Sequence, residues 1–185
     1  GFLSGFLNAV AGGGGLLTLP VLLWAGLPPL QALATNKCQS VFGTLSSSIN
    51  FFQKGFINLK LLIPALAITV LFSAVGTWGI QQFSEQTLKQ LLPYLLIALA
   101  LYTWLSPTLG DSDQPAKVSQ PRFNLISGCG IGLYGGFFGP GMGAIAALFF
   151  TSLLGYNLRK ATAHAKPLVL ASNLTSLLIF IFNGQ

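Results

Sequence analysis

Two lysines in otherwise apolar surroundings, Lys37 and Lys166, each open a polar series at helical spacing. Lys37 is followed by Ser40, Thr44 and Ser47, and Lys166 by Val169, Asn173 and Ser176. Steps of three, four and three residues keep each series on one face of a helix. Thr35 and Asn36 immediately precede the first lysine, and His164 lies just before the second. Upstream of each lysine is a glycine cluster: Gly12, Gly13, Gly14 and Gly15 in one case, Gly139, Gly141 and Gly143 around Pro140 in the other. The chemistry this combination suits is the binding of a small anion. Lysine supplies charge, and a helix that restarts after a glycine break presents free N–H groups and roughly half a positive charge. Glycines let a ligand come close to that backbone.

Each feature also has a plainer reading. Lysines at helix ends snorkel to an interface, Ser and Thr join helices to one another, and glycines allow close helix packing. His164 is the one histidine and can change charge near neutral pH. A hydrogen-bonded loop histidine is its alternative role. The repetition of the pattern favours a shared site, because duplicated halves that enclose one ligand share its contacts.

The elements that position these residues are themselves repeated. Shifted by 129 residues, Gly26–Phe56 lies over Gly155–Gln185 without a gap. Upstream, an offset of 127 brings Gly1, Gly5, Gly12 and Gly14 onto Gly128, Gly132, Gly139 and Gly141. Such repeats are the usual signature of a transporter whose site lies between two related halves. The order predicted for each half is a glycine-broken helix, possibly re-entrant, and three transmembrane helices. Residues 1–107 form the first repeat, 108–122 a polar cytoplasmic linker and 123–185 the second repeat. Nothing after residue 185 matches 57–105, so the second repeat is expected to lack about two spans, and the first span is expected to be trimmed. The polar helices are predicted near 32–52 and 161–182, and further spans at 61–80 and 90–107.

Composition places all of this in a bilayer. Only 6% of the residues are charged and 52% are hydrophobic, against roughly 25% charged in a soluble domain. Residues 61–80 and 90–107 carry no charge, and each is close to the ~20 residues that cross the hydrocarbon core. Four successive glycines are poor helix interior, and Pro140 lacks a donor. Unwound backbone of this kind survives at membrane depth only where protein or a wet cavity covers it. The net charge of +6 comes from scattered residues, not a stripe, and excludes a nucleic-acid surface as its natural reading. With re-entrant hairpins, Lys54, Lys60, Lys117, Arg122, Arg159, Lys160 and Lys166 share one face against Lys37 and Lys89, which suits a cytoplasmic side and makes the halves inverted.

Glu85, Asp111 and Asp113 fall in predicted loops, leaving no acidic group within a span for proton or sodium coupling. Cys38 and Cys129 read as small packing residues. The glycine run lacks the Gly-Lys-Ser/Thr continuation of a phosphate loop. No cofactor, metal or catalytic residue set is predicted.

The strings AGGGGLLTLP (11–20), ALATNK (32–37), GGFFGP (135–140) and KATAHAK (160–166) resemble the sulfite exporter TauE/SafE family of membrane transporters, in particular its YfcA-type branch. The resemblance spans nearly the whole chain. It implies a multi-pass transporter of the bacterial inner membrane, linked to sulfite, thiosulfate, sulfoacetate and other sulfonates. Partners implied are a small anionic substrate and the lipid bilayer. The reading that follows is an anion transporter working by alternating access at the repeat interface. A channel-like facilitator of another small anion or metabolite, or an accessory membrane subunit without transport of its own, are the alternatives.

Overall fold

The computed structural model describes residues 4–6, 13–105 and 112–184. Seven helices of ten residues or more lie among them. They are α1 (Gly15–Trp24), α2 (Pro29–Gln53), α3 (Leu59–Ile80), α4 (Glu85–Leu105), α5 (Gln120–Phe137), α6 (Met142–Leu154) and α7 (Leu158–Phe182). No strand occurs among the described residues. Helices α3 and α7 are long and apolar enough by composition to cross a membrane. Helices α2 and α4, of 25 and 21 residues, have the length but carry more polar side chains. Phe42, Ile63, Leu71 and Ile181 are more than half exposed around the outside of the bundle, as side chains facing lipid would be.

The 129-residue offset is reproduced in the backbone. Helices α2 and α7 are both 25 residues long and start and stop at equivalent positions. Each is preceded and followed by a glycine with positive φ: Gly26 and Gly55 around α2, Gly155 and Gly184 around α7. That left-handed conformation ends a helix cheaply only at glycine. The predicted boundaries at 32 and 161 fall three residues late, because Pro29 and the Asn157 cap start the helices earlier. Pro29 suits a first turn whose N–H needs no partner, and the Asn157 side chain accepts from Lys160 N at 2.9 Å. Glu85, expected in a loop, is the first residue of α4, where a carboxylate favours the positive helix end.

Helices α2 and α7 run in opposite directions, the end of α2 lying beside the start of α7. The linker before α5 lies against the end of α6, with Gln114 N donating to Gly155 O at 2.7 Å and Lys117 N to Leu153 O at 2.8 Å. The pair α5–α6 therefore starts and finishes at one end, as a hairpin broken at 138–141. The loop after α2 is at that end too, where Asn58 N meets His164. At the opposite end Asn183 Nδ2 donates to Gln81 Oε1 at 2.6 Å. Helix α1 also finishes there, joined by a short turn to the start of α2. Ser4, in a helical piece at residues 4–6, donates to Gly14 O at 2.7 Å and so lies beside α1.

Helices α3 and α5 form the tightest pair. Gly128, Gly132 and Gly136 of α5 meet Ile68, Thr69 and Ser73 of α3, and Gly76 of α3 meets the α5 backbone at Leu133 and Phe137. For these glycines the packing reading holds. Around this seam, Leu62, Ala65, Phe123, Ile131, Met142, Phe150 and Leu168 form one apolar core. Leu19, Leu33, Ile80, Leu92, Leu99, Phe138 and Phe180 form another, which fixes α1 and α4.

Asp113 pins the linker: its carboxylate accepts from Asn157 N at 2.7 Å and Lys160 Nζ at 3.0 Å. The Asn157 N–H foremost, and then Lys160, hold this carboxyl below its ordinary value. The contact is therefore complete above the ordinary carboxylate range and is lost as pH falls through the lowered value. Asp113→Asn is expected to speed amide exchange at Gln114 and Lys117 relative to the unmodified chain at the same near-neutral pH. Equal exchange in both proteins would show that Asp113 does not hold the linker.

Candidate functional site

The two glycine breaks meet inside the bundle. A Cβ built on Gly15, at the start of α1, would stand 3.0 Å from Pro140 Cα in the second break. The same Cβ would stand 3.1 Å from both amide atoms of Asn36, which reaches the junction from α2. Lys37, the next residue, donates from Nζ to Gly135 O at the end of α5. A Cβ on Gly139 would also meet the Lys37 side chain. Helices α1 and α6 both begin at this junction and run toward opposite ends. The positive ends of two half-helices therefore converge on one place from the two repeats.

The backbone there differs between copies. Gly139 and Gly141 have φ of 98° and 69°, a region closed to most other residues. Gly14 has φ −55° and continues directly into α1. The described part of the first break, Gly13–Gly15, is thus a helix start in ordinary geometry, while the second break is a left-handed corner braced by Tyr134, whose hydroxyl donates to Pro140 O at 2.6 Å. A Cβ on Gly141 would collide with Leu99 of α4, its Cδ2 2.6 Å away. Helix α4 therefore closes this corner from outside.

Both repeat lysines are buried, at 1% exposure each. Snorkelling to an interface is excluded for them. Their series face inward as well: Asn36, Ser40, Thr44, Ser47, Asn173 and Ser176 are all buried. Counted as interior residues, the lysines leave six basic residues at the linker end, Lys54, Lys60, Lys117, Arg122, Arg159 and Lys160. Lys37 faces no carboxylate among the described residues: Glu85 is 4.0 Å from Lys89 and Asp113 is engaged by Lys160.

The predicted site residues do not all gather at this point. Gly15, Asn36, Lys37 and Gly139 are together, with Gly13, Gly14, Gly141 and Gly143 in the flanking backbone. Gly12 lies outside the described residues, as do Asp111 and the 107/108 boundary. Thr35 is exposed and lines an outer groove with Ser4, Thr18 and Gln39. Ser40 is one helical turn beyond Asn36, and its carbonyl accepts from Thr44 Oγ1 at 2.7 Å. Helices α2 and α7 run antiparallel, so Lys37 and Lys166, the ninth residue of each, enter from opposite ends, with Asn173 further along α7.

His164 belongs to a different place, a cleft of about 600 Å³ at the linker end, with Asn58, Lys60, Tyr156 and Lys160. Its Nδ1 pairs with Lys160 O at 2.8 Å, and its ring stands edge-on to Tyr156 at 5.1 Å. Cys38 faces outward and Cys129 is partly buried; both are free thiols.

Sequence reasoning named Ser176 in the Lys166 series but missed the rest of a polar cluster beside the junction, Ser73, Thr77 and Ser172. Ser73 Oγ lies 2.9 Å from Ser172 Oγ and 3.2 Å from Ser176 Oγ, and Thr77 Oγ1 donates to Ser176 Oγ at 2.8 Å and to Gly136 O at 3.2 Å. All four hydroxyl residues are fully buried. They tie α3 of the first repeat to α5 and α7 of the second. Only the four-residue spacings Ser73–Thr77 and Ser172–Ser176 could have signalled it.

Comparison with known proteins agrees with this architecture. The family described as Sulfite exporter TauE/SafE matches residues 1–185. A probable membrane transporter protein of Haemophilus influenzae is 45% identical over 185 residues, covering 100% of this chain and 72% of that protein. The probable membrane transporter protein YfcA of Escherichia coli is 44% identical over 183 residues, covering 99% of this chain and 68% of that protein. A third, the probable membrane transporter protein ORF9 of a Sinorhizobium species, is 42% identical over 183 residues, covering 99% and 70%. No solved structure matches. This all-α integral membrane chain belongs to the TauE/SafE family of membrane transporters.

Proposed function

We propose that this chain carries a small sulfur oxyanion, sulfite or a related sulfonate, across the bacterial inner membrane, and that the anion binds at the junction of the two glycine breaks. The observation that carries the reading is Lys37: a buried ammonium whose contact is the Gly135 carbonyl and which faces no acidic group among the described residues. A buried charge without an opposite charge is strongly destabilising, and a transported anion is the counter-charge that would remove the penalty. The convergent starts of α1 and α6 add to the same potential. Lys166, buried at the matching position of the other repeat, supplies the second electrostatic partner. Contact between Gly15 and Pro140 makes this a closed state. Rocking of one repeat against the other would separate the breaks and admit the ligand from alternate sides.

The test is uptake of labelled sulfite into proteoliposomes, with thiosulfate, sulfoacetate and sulfate as competitors. Saturable uptake, suppressed by a subset of competitors and showing counterflow, is the expected result. Counterflow separates a carrier from a channel-like facilitator. Absence of uptake for every anion, from protein shown to be folded, would remove the substrate class.

A further inference from the structure

Among the described residues, one polar side-chain atom at the junction has nothing to bond. Asn36 is 2% exposed, and its Oδ1 is buried without a hydrogen-bond partner. Buried carbonyl oxygens are satisfied as a rule, and an exception calls for a reason. Asn36 lies against Gly15 at the start of α1, and Gly15 in turn meets the Pro140 corner.

The neighbours of Asn36 give the reason. Lys37 Nζ is a donor, suited to the lone pairs of an anion, and the positive end of α1 begins against Asn36. Asn36 Oδ1 is an acceptor and would repel those same lone pairs. Donors and a buried acceptor fit together around an oxyanion that still carries one acidic hydrogen: its bare oxygens face Lys37 and the α1 start, and its O–H faces Asn36. Resting on the reading of this junction as the anion site, we propose that Asn36 reads a proton on the ligand, so that the species bound is a proton-bearing monoanion such as hydrogensulfite. Dianions and aprotic sulfonates of the same size leave Oδ1 unbonded and are disfavoured. Within the proposed substrate class this narrows the cargo and has it bring its own proton, with no intramembrane carboxylate required.

Methylphosphonate and methanesulfonate separate the two ideas. At slightly acidic pH both are monoanions of nearly the same shape, and they differ by one O–H. Their inhibition constants against sulfite uptake would be measured at that single pH for the unmodified chain and Asn36→Leu. The unmodified chain is expected to prefer methylphosphonate by at least about tenfold, as sites built around a ligand hydroxyl reject analogues that lack it. Asn36→Leu is expected to bring the ratio to about one. Equal inhibition by the two ions in the unmodified chain would overturn the role of Asn36 and leave the anion site standing. Inhibition by neither ion would overturn both. The comparison within the unmodified chain decides the matter even if Asn36→Leu does not fold.

Discussion

Lys37→Met is expected to lower sulfite uptake at least about thirtyfold without unfolding the bundle. The size follows from removing one member of a buried charge pair, which typically costs 2–5 kcal/mol or more in binding; each 1.4 kcal/mol is tenfold. Folding is expected to survive, because the ammonium is 1% exposed and faces a backbone carbonyl, not a carboxylate. Methionine keeps most of the length and removes a charge whose burial opposes folding. Uptake in proteoliposomes beside a thermal melt in detergent separates the effects. Lost uptake with an unchanged or raised melting temperature supports the site. Uptake near the normal level would mean that Lys37 does not meet the anion.

Gly136→Val is expected to be among the most damaging substitutions for stability. A Cβ at Gly136 would fall on the Ser73 carbonyl, with the Ser73 Cα and carbonyl carbon each 2.9 Å away. These are backbone atoms of α3 and cannot turn aside as a side chain would. The helices would have to part, which also breaks the Thr77 contact to Gly136 O and the hydroxyl cluster next to it. Overpacking of a fitted core costs about 1–3 kcal/mol, and at this seam the lost hydrogen bonds add to it. At roughly 2–4 °C per kcal/mol for a chain of this size, a fall of about 5–15 °C is expected in detergent. Gly79→Val is the control, since nothing lies within 4 Å of a Cβ there. Similar melting of the two variants would contradict the close α3–α5 packing.

The repeat was legible because it is written in residues with conformational jobs. Gly26, Gly55, Gly155 and Gly184 all take positive φ, so their spacing in the sequence is the spacing of helix ends. The inward polar series on α2 and α7 was legible from periodicity, as was the break at Gly139–Gly141. What could not be read was depth and company. Helical spacing puts His164 two residues from Lys166, yet those two positions point to different sides of α7, one toward the linker-end cleft. Thr35 fails for the same reason, being exposed next to a buried Asn36. The Ser73 and Thr77 hydroxyls sit in a span whose charge-free composition concealed them, and their partners on α7 lie about a hundred residues away in sequence. The contact of Gly15 with Pro140 is likewise a product of tertiary packing between halves, which no local pattern encodes.

The most direct measurement is equilibrium binding of labelled sulfite to the purified protein, unmodified and as Lys37→Met. Binding isolates the site from rocking, orientation and driving force, all of which enter a flux. The account predicts saturable binding of one sulfite per chain in the unmodified protein and its loss in the variant. Saturable binding that persists unchanged in a folded Lys37→Met protein would contradict it, and would move the anion away from the junction of the two breaks.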